Sequence, residues 1–238
     1  MYFIHLIFSL FLYKLTKSSV MSSEEIENTV KETVITCGSP VRIKNILTKY
    51  HLSSFGVNWF SGSHLQIVTG VKEDDKHESL FVLKEADDTP MCATGEPILC
   101  DSIIRLENIV FRKNLHSHSI GSMLGAGQEV CAFGEDGEGD ANDNFKIVCY
   151  KNKDNIVRGN TEFFLVHVAT EKYLAINIRN SMFHDGNCRG CPMNGQREVI
   201  TTSQKDKQCL WKVVGGIIFS SEKEQNESTD KQDDNDDL

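Results

Sequence analysis

Three short stretches of the chain carry residue types that can do chemistry. The first is Cys188-Arg189-Gly190-Cys191, a CxxC motif inside the loop SMFHDGNCRGCPMN. Two cysteines at that spacing act as a redox pair when a helix N-terminus lowers one thiol's pKa, but this motif lies among Gly and Asn between strand-like runs. Its other readings are a structural disulfide, surface thiols, or a zinc site completed by His184 and Cys209. The zinc reading requires Cys209 to fold back onto the loop. The second stretch is Leu115-His116-Ser117-His118. Two imidazoles around a hydroxyl suggest a hydrolytic triad, yet adjacent strand residues point to opposite faces and cannot all converge on one substrate. No G-x-S-x-G elbow surrounds Ser117. The expectation is that one histidine turns inward, the other faces solvent, and Leu115 to His118 line a groove for glycan or peptide. The third stretch is the acidic run from Glu135 to Asp143. Read as a calcium loop starting at Asp136, it puts Ala141 where Gly is needed and Ile147 where Glu is needed. That reading fails, and the run suits a solvated turn. The chain shows no phosphate loop, dinucleotide fingerprint or glycosidase-like carboxylate pair. The sequence points to a binding protein that uses no cofactor.

The elements that must position these residues repeat three times. Leu52, Leu115 and Leu174 each follow an apolar i, i+2 pair by eleven and nine residues: Val41 and Ile43, Ile104 and Leu106, Phe163 and Leu165. That spacing is a strand with one buried face. After each Leu comes a polar, Gly-containing stretch and then a Gln leading to a Val (Gln66 to Val68, Gln128 to Val130, Gln196 to Val199). A second strand follows, with Phe81 and Leu83, Phe145 and Ile147, or Trp211 and Val213 on one face. The first two units also share a head, ITCGSPVRIKN against ILCDSIIRLEN. Short strands between Gly-, Asn- and Asp-rich turns predict an all-β fold. One such unit cannot bury its own apolar face, so three closing around an axis predict a β-trefoil; a three-bladed propeller would be atypically small.

The formal charge of −9 is uneven. From Ser221 to Leu238 eight acidic residues stand against two lysines, and the rest of the chain carries about −3. This gives no basic footprint for a nucleic acid. The run Tyr2 to Tyr13 is too short to span a membrane but has the length of a signal-peptide apolar region, so residues 1–22 are expected to be a cleaved signal. Eight cysteines agree with an oxidising compartment and leave 105 full pairings open. Cys37 and Cys100 occupy equivalent heads of units one and two. Cys37 is expected to pair with Cys92, tying the first strand to the end of its unit. Residues 217–238 read as a disordered acidic tail ending Asn235-Asp236-Asp237-Leu238, which is similar to K-D-E-L retrieval signals.

The second unit, with Arg105-Leu106, Leu115-His116-Ser117-His118, Gln128-Glu129-Val130, the acidic turn from Gly134 to Asp140, and Asp143-Asn144-Phe145, resembles the MIR repeat of stromal cell-derived factor 2-like proteins. Gly195-Gln196-Arg197-Glu198-Val199 carries the likeness into unit three. The resemblance implies a β-trefoil over residues 30–216, with MIR repeats at about 34–86, 96–150 and 154–216. It further implies a non-enzymatic protein of the endoplasmic reticulum lumen, a monomer within a quality-control complex. The implied partners are a J-domain co-chaperone with its lumenal heat-shock chaperone, or unfolded polypeptide. MIR repeats also occur in protein O-mannosyltransferases, which implies a glycan-binding module as the alternative. Units one and three depart from the Leu-His-Ser-His run, with Leu52-Ser53-Ser54 and Leu174-Ala175-Ile176.

Overall fold

A computed structural model describes residues 33–72, 76–152 and 154–220. The expected signal and the retrieval tetrapeptide lie outside the described residues. The described residues form an all-β structure of twelve strands in one hydrogen-bonded sheet. The first four are β1 (Pro40–Asn45), β2 (His51–Asn58), β3 (Gln66–Val71) and β4 (Leu80–Glu85). Next come β5 (Ile103–Asn108), β6 (Lys113–Gly121), β7 (Gln128–Phe133) and β8 (Phe145–Tyr150). The last four are β9 (Glu162–His167), β10 (Lys172–Ile176), β11 (Arg197–Thr202) and β12 (Trp211–Gly216). No helix among them is long and apolar enough to cross a membrane.

The pairings close a ring. β1 pairs β4, β4 pairs β5, β5 pairs β8, β8 pairs β9, β9 pairs β12, and β12 returns to β1, all antiparallel. Closure removes the edge strands that an open sheet would expose. The remaining strands form the hairpins β2–β3, β6–β7 and β10–β11, which join each other through β3–β7, β7–β11 and β11–β3. Away from the hairpins, three backbone bonds run in a cycle: Ile35 N–H to the Val157 carbonyl (2.8 Å), Val157 to Ile98 (2.9 Å) and Ile98 to Ile35 (2.9 Å).

The alternation read from the sequence explains the core. Leu52, Leu115 and Leu174 are fully buried, as are Phe81, Phe145 and Trp211, and all six belong to one central cluster with the paired Val, Ile and Leu positions. Each such side chain contributes roughly 1.5–3 kcal/mol by leaving water. Trp211 also donates its indole N–H to the Leu174 carbonyl at 2.9 Å.

A short 3₁₀ turn precedes each of β4, β8 and β12, at His77–Ser79, Ala141–Asp143 and Lys207–Cys209. Each turn is tied to a different part of the chain by one buried polar side chain. Asn108 donates to the Glu78 carbonyl, Asn45 to that of Gln208, and His167 Nε2 to that of Asn142. The His167 bond holds the turn at Ala141–Asp143, which lies against β6, the strand that carries His116 and His118.

Disulfides join Cys37 to Cys92 and Cys100 to Cys149, spanning 55 and 49 residues. Cys188 and Cys191 form a third, and Cys131 and Cys209 are free and buried.

Candidate functional site

The histidine segment lies on β6, and the strand period separates its members. His116 and His118 share a face, with ring centroids 5.3 Å apart in an edge-to-face contact. Ser117 points the other way, where its hydroxyl donates to the Glu129 carbonyl at 2.9 Å and meets Thr201 Oγ1 at 3.0 Å. That hydroxyl ties hairpin β6–β7 to β11. Of the two, His116 is the inward one and His118, on the same face, opens partly to solvent. His116 is buried, His118 is half-buried beside it, and each meets a carboxylate.

His116 Nδ1 donates to Asp143 Oδ1 at 2.8 Å, with Asp140 Oδ1 at 3.7 Å. The other oxygen of Asp143 accepts from Asn114 Nδ2 (3.2 Å) and from the Asp140 backbone N–H (2.9 Å). The acidic stretch that failed as a calcium loop therefore works as a capping box, in which Asp140 and Asp143 satisfy each other's backbone donors at the start of the turn.

His118 Nε2 lies 3.2 Å from Glu129 Oε1 on β7, and the same carboxylate accepts from the Ser63 hydroxyl and backbone N–H at the β2–β3 tip. Burial alone would raise the Glu129 pKa. The hydrogen bonds from His118 and Ser63 outweigh it and hold the carboxyl below its ordinary value. Gly62 has φ +72°, and a side chain there would run into the Glu129 carboxylate, so glycine is what lets the tip approach. Ile120 lies beside the same glycine, its Cγ2 3.6 Å from the place a Cβ would take. Val57, Phe60 and Ile120 are exposed on these tips, Phe60 to 62%.

The groove expected along Leu115–His118 needs correcting. Leu115 is fully buried in the central core and Ser117 is fully buried between hairpins, so of the four only His118 opens toward solvent, with 17% of its side chain exposed. The surface opens at His118 and Ser63, which are joined through the buried Glu129 carboxylate, with Ile120 beside the same tip. Glu129 and Ser63 were not singled out from the sequence. Glu129 follows Gln128 in a motif whose position opposite β6 gives the signal, whereas Ser63 sits 66 residues away and gives none.

The zinc set proposed around the CRGC loop also needs correcting. Cys188 and Cys191 are bonded to each other, and they pack in a cluster with Trp59, Ile67, Cys131, Phe183 and Met193. Cys209 packs in a separate cluster with Phe164, Ala175, Ile200 and Leu210, and burial pushes its thiol up to about 11. Cys209 is the last residue of its own 3₁₀ turn, its thiol donating to the Gln204 carbonyl at 3.2 Å rather than folding back onto the loop, so the four ligands are not brought together.

Residues 60–213 match the MIR domain. Human stromal cell-derived factor 2 is 37% identical over 189 residues, covering 78% of this chain and 82% of that protein. The chain belongs to the MIR-domain family of stromal cell-derived factor 2 proteins. Among solved structures, the stromal cell-derived factor 2-like protein of Arabidopsis thaliana superposes with a TM-score of 0.72 at 26% identity, over 80% of this chain and 99% of that one. The Saccharomyces cerevisiae protein O-mannosyltransferase Pmt1–Pmt2 complex, bound to its sugar donor, is similar at a TM-score of 0.63 and 20% identity. That match covers 96% of this chain and 35% of the yeast chain, a likeness of fold. In this member of the family, the paired histidines occur in the second unit alone: the positions equivalent to His116 are Ser53 and Ala175.

Proposed function

We propose that this protein is a binding subunit of the protein-folding machinery in the endoplasmic reticulum lumen. In this reading the ring and its three hairpins are a β-trefoil of three MIR repeats, at about 34–86, 96–150 and 154–216. It acts by binding, as a monomer within a complex, and engages a J-domain co-chaperone complex or unfolded polypeptide. The observation that carries the reading is the surface around His118. Val57 and Phe60 on the β2–β3 hairpin that carries Ser63, and Ile120 beside Gly62, present exposed apolar side chains on the same tips as the polar group of His118, Glu129 and Ser63. Apolar surface rimmed by satisfied polar groups suits the extended, mixed chemistry of an unfolded chain. Three disulfides and membership of the stromal cell-derived factor 2 family support an oxidising compartment.

A glycan-binding module is the second reading, and a specific observation favours it. Tyr150 is exposed in a polar cleft with Asn152, Asp154, Arg158, Asn160 and Glu162. An aromatic ring among hydrogen-bonding groups is what a sugar stacks on, although the Lys151 ammonium lies 4.8 Å over this ring.

Co-purification separates the two. The tagged full chain, with its N-terminal segment and tail intact, is isolated from its own cells and its bound proteins are identified. Recovery of a J-domain co-chaperone and a heat-shock chaperone, lost on Phe60→Asp, supports the first reading. Recovery of glycoproteins released by free sugar, and lost on Tyr150→Ala, overturns it in favour of the second.

A further inference from the structure

His116, His118 and Cys131 converge from two adjacent strands. One ring nitrogen of each histidine and the Cys131 Sγ all lie within 4.8 Å of one another. The sheet imposes this: His116 and His118 share a face of β6, and Cys131 is the direct partner of His116 on β7. Each imidazole gives one nitrogen to a carboxylate, His116 Nδ1 to Asp143 and His118 Nε2 to Glu129. A neutral imidazole donating its N–H in this way carries its lone pair on the other nitrogen, which is how metal-binding histidines are oriented. Cys131 has no disulfide partner; its thiol lies 3.9 Å from the His116 carbonyl, near the Ser63 side chain and at the edge of the Trp59 cluster. Asp143 and Glu129, bonded to the two histidines, place negative charge beside the cluster that a bound cation would offset.

We propose that His116, His118 and Cys131 are three ligands of a thiophilic divalent cation of the zinc class, with Asp143 and Glu129 as positioning groups. Nitrogen and sulfur ligands of tetrahedral zinc stand roughly 3.3–3.7 Å apart, so the three side chains, now within 4.8 Å, close by up to about 1.5 Å on binding. The thiol releases one proton to solvent as it binds, and the fourth position takes water or an oxygen of Glu129. The site is distinct from the CRGC loop, whose cysteines are bonded to each other. It shares His118 with the proposed binding surface but does not depend on it, because metal uptake is measured without any partner.

The test is cobalt titration of the full-length protein, stripped with chelator and kept under non-reducing conditions so that Cys131 and Cys209 are the two free thiols. The expected result is one cobalt per chain, with a thiolate-to-cobalt charge-transfer band and tetrahedral d–d bands. Cys131→Ala abolishes the charge-transfer band. His118→Ala, at a half-buried position, and Asp143→Asn weaken affinity by about tenfold to a hundredfold. Titration without a thiolate band overturns the proposal and places any cobalt on carboxylates. Retention of the band in Cys131→Ala also overturns it and assigns the metal to Cys209. If Cys131→Ala fails to fold, unchanged affinity and spectrum in folded His118→Ala overturn the proposal on their own.

Discussion

His116 Nδ1 donates to Asp143 at 2.8 Å, and the Asp143 carboxylate is completely buried. The bond joins the middle of β6 to the 3₁₀ turn that launches β8. Because Asn114 and the Asp140 N–H also donate to Asp143, the charge is fully compensated. Replacement by Asn turns one accepting oxygen into a donor facing donors. Asp143→Asn is expected to cost about 2–4 kcal/mol, read as a lower urea midpoint with an unchanged m-value.

Glu198 sits at the start of β11, where Oε1 accepts from the Leu124 N–H at 2.7 Å and Oε2 has no partner. Burial raises its pKa to about 7, against about 4.5 for the unfolded chain. The folded state thus holds a proton that the unfolded state releases. The resulting stability is fully present below about pH 4.5 and is lost as pH rises through 7, on the order of 3 kcal/mol in all. Glu198→Gln is expected to flatten this slope and to melt higher than the parent at pH 8. A parent and variant with parallel melting profiles from pH 5 to pH 8 would sink the idea.

The three disulfides are expected to be unequal. Cys37–Cys92 and Cys100–Cys149 close loops of 55 and 49 residues, whereas Cys188 and Cys191 are three residues apart. Loop entropy alone gives about 4 kcal/mol for each long closure and about 2 kcal/mol for the short one. Thermal unfolding of paired Cys→Ala variants tests the order, with the Cys100/Cys149 pair predicted to lower Tm more than the Cys188/Cys191 pair.

Trp211 occupies the position that Phe81 and Phe145 hold in the other units, and all three are fully buried. Trp211→Phe restores the local symmetry yet leaves a gap and removes the donor to the Leu174 carbonyl. The expected loss is about 2–4 kcal/mol, whereas Phe145→Leu, which removes no hydrogen-bond donor, should cost less. Chemical unfolding of both variants decides it.

Much of the fold was legible because strand alternation and core burial share one period. The recurring Leu, the i, i+2 pairs and the closing aromatics were read as anchors, and Leu52, Phe81, Leu115, Phe145, Leu174 and Trp211 all lie in the core. An all-β structure follows from that pattern, since each apolar residue has one face on which to hide. Membership of the family was legible too, in the order of Leu115-His116-Ser117-His118, Gln128-Glu129-Val130 and the acidic turn. The Cys100–Cys149 bond was not read, although Cys100 holds the same head position as Cys37 and so called for a partner at the end of its own unit.

What the sequence determined by itself is local: which faces are apolar and where the turns fall. What the tertiary structure decided is which distant groups meet those faces. It brought Ser63 against Glu129, Cys131 opposite His116, and Asp143 beneath it, and it buried Leu115 and Ser117 where a groove was expected. The physical reason is that alternation sets the direction of a side chain to one of two faces. Its neighbour on that face is set by sheet register and by the closing of three hairpins against one another, contacts that join residues far apart in the chain.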